Sequence, residues 1–69
     1  MSKDWSLDIK NLVSKLDHIF KTLKTPRSEM ISNFDNCLRG RNPFSIKELN
    51  DCQINSHEWE SLLERVKNR

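Results

Sequence analysis

The chain has 69 residues but only one glycine, two prolines and two cysteines, and it has no tyrosine. With Gly40 as the sole glycine, there is no glycine-rich loop whose bare backbone could cradle a phosphate. Cys37 and Cys52 are too few for the disulfide framework that staples small secreted domains, and both fall where helix-core residues belong. They are expected as free, buried thiols. No CxxC or HxxxH pair is present, so His18 and His57 complete no zinc pattern, and neither a metal nor a cofactor is expected. No apolar run approaches the roughly 18 residues that cross a bilayer. The opening Met1-Ser-Lys-Asp-Trp-Ser lacks the apolar core of a signal peptide, so the expectation is a cytoplasmic protein without a membrane partner. Charge of one sign is also scarce. Twelve Lys and Arg against ten Asp and Glu leave a net charge of +2, too small a field for a dedicated nonspecific nucleic-acid binder.

Catalysis finds no support either. A nucleophile needs a base held by a third group on a rigid scaffold, and the carboxylates Asp4, Asp8, Asp17, Glu29, Glu58, Glu60 and Glu64 are scattered over polar helix faces. None has the apolar surroundings that would raise its pKa for acid catalysis. The chain reads as neither an enzyme nor a binder of small-molecule substrates.

What is present is helical periodicity. Trp5, Ile9, Leu12, Leu16, Ile19 and Leu23 recur alternately four and three apart, which places them on one face of a helix over about residues 4 to 24, capped by Ser2 or Asp4. Val13 and Phe20 widen that stripe to the breadth of a bundle core. Thr25 followed by Pro26 is a second start signal, with Thr25 as cap and Pro26 as first helical residue. Met30, Ile31, Phe34, Cys37 and Leu38 then share a face, and Gly40 and Pro43 stop the helix near Arg39. Ser45 with Glu48 has the form of a capping box, with Phe44 placed to staple onto Leu49, and opens a short helix over about 46 to 52. Asn55 with Glu58 repeats the device for a last helix over about 55 to 67, its face made by Trp59, Leu62, Leu63 and Val66. His18 beside Asp17 suggests a local hydrogen bond, and His57 in the first turn of the last helix suggests a solvent-facing position. No segment alternates with period two. The expected fold is one all-α domain over residues 1–69, a compact four-helix bundle with the long first helix packed on a tri-helical unit.

The stretch from Met30 to Val66, about half the chain, resembles the helical half of winged-helix and helix-turn-helix domains. The likeness lies in a helix, a turn, the short helix of Ser45-Ile-Lys-Glu-Leu, the Ile54-Asn-Ser turn and a final amphipathic helix. It implies a last helix that enters the major groove, with Ser56 and His57 near base edges and Arg39, Arg41 and Lys47 near phosphates. Against it, Glu58 and Glu60 place acidic groups in the helix start that would face the DNA. The first helix offers more apolar surface than the short helices behind it can cover, with Trp5, Leu7 and Phe44 as the exposed apolar groups of a protein interface. The leading expectation is a small non-catalytic adaptor, inhibitor or regulator that binds another protein, self-association included. A DNA-binding helix-turn-helix regulator is the alternative.

Overall fold

A computed structural model describes the backbone of residues 3–68 and the side chains of residues 6–68. Four helices follow in order, α1 Lys3–Leu23, α2 Arg27–Leu38, α3 Ile46–Asp51 and α4 Ser56–Lys67, and no strand occurs among the described residues. Each agrees with its expected span to within about a residue. The caps proposed at Ser2 and Asp4, and the Trp5 side chain, lie outside the described residues.

The three helix ends inside the chain share one device. Lys24 adopts a left-handed φ of 55°, and the Thr25 N–H donates to the Phe20 carbonyl at 3.0 Å, closing α1. This overturns the expectation that Thr25 caps α2. Pro26 is the N-cap, no side chain caps that end, and the Pro26 carbonyl accepts from the Glu29 and Met30 amides. Thr25 stands one residue too early, its backbone already committed to closing α1. Gly40 (φ 77°) ends α2 with Gly40 N–H donating to the Cys37 carbonyl and Arg41 N–H to that of Asn36, and Gln53 (φ 60°) ends α3 in the same way. There the Ile54 N–H donates to Leu49 O at 2.8 Å, and both side chains are buried, the hydrophobic contact that commonly accompanies this cap.

Glycine is required at position 40 for a second reason. A Cβ there would lie 2.6 Å from Lys67 Cδ and 3.0 Å from Lys67 Cβ, so the C-terminal turns of α2 and α4 meet only because no side chain intervenes. Gly40→Ala is expected to lower stability by about 1 to 3 kcal/mol, the left-handed strain adding to the displaced lysine stem. A urea melt that matches the parent would contradict the close approach.

The capping box forms as expected, with Glu48 N–H donating to Ser45 Oγ at 3.1 Å and Ser45 N–H to Glu48 Oε1 at 2.9 Å. At α4 only half of the device appears, Asn55 Oδ1 accepting from the Glu58 amide at 3.0 Å.

Helix α4 is central and packs on all three others. Trp59, Leu62, Leu63 and Val66 are at most 2% exposed and meet Leu12, Leu16 and Ile19 of α1, Cys37 of α2, Phe44, Leu49, Cys52 and Ile54 in one cluster. Polar clasps fix the register around it. Asn42 Oδ1 accepts from both Trp59 Nε1 (2.9 Å) and Phe44 N–H (3.0 Å), anchoring the α2–α3 loop to α4. Arg65 Nε donates to the mostly buried Asp8 at 3.2 Å, joining α4 to α1. His18 Nε2–H donates to the Cys52 carbonyl at 2.8 Å, which corrects the expected local bond to Asp17. Asp17 is taken instead by Lys21 at 3.1 Å, leaving the imidazole to tie α1 to the end of α3. No buried side-chain nitrogen or oxygen among the described residues is left without a partner.

Because α4 holds α1 and α2 from one side, the backbones of those two helices approach each other closely at few points. Val13 and Phe20, expected to widen the core stripe, therefore lie at its margin, Val13 49% exposed and Phe20 only partly buried. No helix among the described residues is long and apolar enough to cross a membrane.

Candidate functional site: a groove between the first two helices

The separation of α1 from α2 leaves an open groove of about 390 Å³ lined by Val13, Leu16, Asp17 and Phe20 of α1 and Met30, Ile31 and Phe34 of α2. Leu16 is buried and forms floor, whereas Met30, Phe34 and Phe20 show part of their surface to the groove. Ile31, at 69% exposed, and Val13 stand on opposite sides of it. Isolated exposed apolar residues are ordinary on any protein, and Leu7 and Ile46 are of that kind here. In the groove, by contrast, apolar residues of two helices line one depression.

The rim carries charge in a definite pattern. Asp17 and Asp35, four residues beyond Val13 and Ile31, are neutralised by Lys21 (3.1 Å) and Arg39 (3.2 Å) on the same helices. Lys10, one turn before Val13, Arg27, one turn before Ile31, and Lys24 at the turn between the helices are exposed and form no ion pair among the described residues. Asp17 is the one charged side chain of the lining itself, and with Lys10, Lys24 and Arg27 counted beside it the charges flanking the groove sum to positive.

A second depression, about 380 Å³, lies between α1 and α4 and is lined by Asn11, Lys15, His57, Glu58, Ser61, Leu62 and Arg65. Its charges are of both signs, and Arg65 is already engaged by Asp8.

The residues expected from sequence to form a protein interface do not meet. Leu7 is 59% exposed on α1, and the Trp5 side chain lies outside the described residues. Phe44 is not exposed. It is 7% accessible, with its ring tilted on Trp59 at 5.9 Å between centroids, because Asn42 holds its backbone against α4. Among the nucleic-acid candidates, Arg39 is paired with Asp35, Arg41, Lys47 and His57 are exposed, and Ser56 is partly buried at the start of α4. The sequence pattern marks the groove residues as helix-face positions and does not distinguish them as a site. Their signal was the adjacent apolar pairs Leu12-Val13 and Met30-Ile31, which spread a helix's apolar face beyond what one neighbour can cover.

Cys37 and Cys52 are free and buried, as their core positions implied. Burial pushes the Cys37 thiol up to about 12. Cys52 is also raised, first by burial and then by the Asp51 and Glu48 carboxylates, against a lowering hydrogen bond from Thr22. Such thiols are poor nucleophiles at neutral pH. Since the folded pKa of Cys37 exceeds its unfolded value of 9.0, the native state binds the extra proton between those limits. Stability is therefore fully present below pH 9 and falls as pH rises toward 12, by up to about 1.4 kcal/mol per pH unit from this group. Urea melts across that range should show a shallower pH dependence in Cys37→Ala than in the parent, and equal slopes would contradict the assignment. Among the described residues no three His, Cys, Asp or Glu side chains converge as a metal site would require.

The chain matches no protein-family model, no curated protein and no solved structure.

Proposed function

We propose that this protein is a small non-catalytic binding module, an adaptor, inhibitor or regulator, whose partner is another protein that lays a helix into the groove between α1 and α2. The observation that carries the reading is the exposed apolar lining from Val13 to Phe34, kept open because α4 supports both walls. An apolar groove walled by two helices suits an amphipathic helix, whose side chains at i, i+3, i+4 and i+7 follow the groove axis. Burying such a face removes Val13 and Ile31 from water, a gain that scales with the apolar area covered.

The reading as a DNA-binding helix-turn-helix regulator draws support from the exposed Arg41 and Lys47. It is weakened by α4 itself, whose solvent side carries Glu60 and Glu64 and would set carboxylates toward phosphates. Affinity capture from the native host at low and at high salt discriminates the two readings. A protein retained at both salts by the parent, and lost with Ile31→Glu, supports the docking groove. Nucleic acid recovered only at low salt, with no such protein, refutes it.

A further inference from the structure

We infer that the helix accepted by the α1–α2 groove is acidic along its flanks, a partner segment with an apolar face bordered by Asp and Glu. This rests on the proposal that the groove binds a partner helix, and adds the charge of that helix. The apolar walls select for an apolar face but are blind to charge, which only the rim can read.

The rim has two tiers. Midway along each wall a carboxylate is already answered from its own helix, Asp17 by Lys21 and Asp35 by Arg39, so an incoming cation would have to compete with a pair in place. Toward the ends, Lys10, Lys24 and Arg27 are exposed and unanswered. Lys10 and Arg27 stand one turn from Val13 and Ile31, the two most exposed apolar groups of the walls, so a helix seated on those side chains brings its flanks within reach of both cations. Partial exclusion of water by the seated helix strengthens these contacts relative to open solvent.

The same charges argue against a second copy of this chain as the occupant. Two such faces related by a two-fold axis would present Lys10, Lys24 and Arg27 of each copy to a rim whose carboxylates, Asp17 and Asp35, already have partners on their own helices.

Two synthetic peptides of about 18 residues test the inference, each with Leu and Phe at helical i, i+3, i+4 and i+7 positions, one flanked by Glu and one by Lys, matched for helicity. Binding is followed by amide chemical shifts of the isotope-labelled protein. The Glu peptide is expected to bind at least about tenfold more tightly near 150 mM salt, shifting Val13, Phe20, Ile31 and Phe34. In the exposed triple variant Lys10→Glu, Lys24→Glu, Arg27→Glu the preference should reverse, and Ile31→Glu should weaken both peptides. Equal binding of both peptides in the groove would overturn the acidic assignment while leaving the groove a docking site. Shifts elsewhere, or no binding by either peptide, would overturn both. Concentration-dependent shifts of Val13 and Ile31 without peptide would assign the groove to a second copy and overturn the inference.

Discussion

Trp59→Ala is expected to remove about 3 to 5 kcal/mol of stability, most of what a chain of this length possesses, and to leave the protein largely unfolded in buffer. Trp59 is fully buried near the start of α4, the helix on which all the others pack. Truncating it opens a cavity beneath Phe44 and strips Asn42 Oδ1 of one of its two donors, loosening the α2–α3 loop at the same stroke. Trp59→Phe should cost less, since most of the apolar volume is kept and Asn42 still accepts from the Phe44 amide. Circular dichroism against urea decides it, and a Trp59→Ala midpoint equal to the parent's would mean that α4 is not the hub. Leu16→Ala belongs with the costly core changes at about 2 to 5 kcal/mol, because Leu16 is 2% exposed. Phe34→Ala should cost less than its place in the helical stripe suggests, as part of the ring faces the groove.

That difference between Leu16 and Phe34 marks how far the sequence could be read. Helix spans followed from 3.6-residue periodicity and from Ser45, Asn55 and Gly40, whose capping roles depend on local geometry alone. Burial of Leu12, Leu16, Ile19, Trp59 and Leu63 followed from their central positions in the stripes. What the stripe pattern does not contain is which helix faces which. Phe44, read as exposed, is pinned by Asn42 from two residues away, and His18, read as a local partner of Asp17, reaches a carbonyl 34 residues on. The groove likewise depends on α1 and α2 both packing more closely on α4 than on each other, a tertiary outcome invisible in either segment. Thr25 and Lys24 show the same limit at short range, because the closing of one helix took the backbone group that seemed free to start the next.

The second large effect concerns binding with stability held fixed. The double change Val13→Glu, Ile31→Glu is expected to leave the urea midpoint nearly unchanged, since both positions are about half or more exposed. It should nevertheless weaken the protein partner by about a hundredfold or more, equivalent to roughly 2.7 kcal/mol, because two carboxylates would have to be desolvated on an apolar surface. Arg41→Ala, Lys47→Ala should leave that affinity within about threefold, these two residues lying away from the groove lining. On a helix-turn-helix protein the pattern would invert, the Arg41→Ala, Lys47→Ala change flattening the salt dependence of DNA binding by about one unit of slope per lost phosphate contact and the groove double doing little. Titration calorimetry with the purified partner and with duplex DNA gives both columns of that comparison.

The central claim, that recognition runs through the α1–α2 groove, is tested most directly by titrating the isotope-labelled protein with the captured partner and mapping the amide shifts. The groove account predicts that the perturbations centre on Val13, Asp17, Phe20, Ile31 and Phe34 and spare Glu60 and Glu64 on the outer side of α4. Perturbations centred instead on Arg41, Lys47, Ser56 and His57, whether from a protein or from duplex DNA, would contradict it.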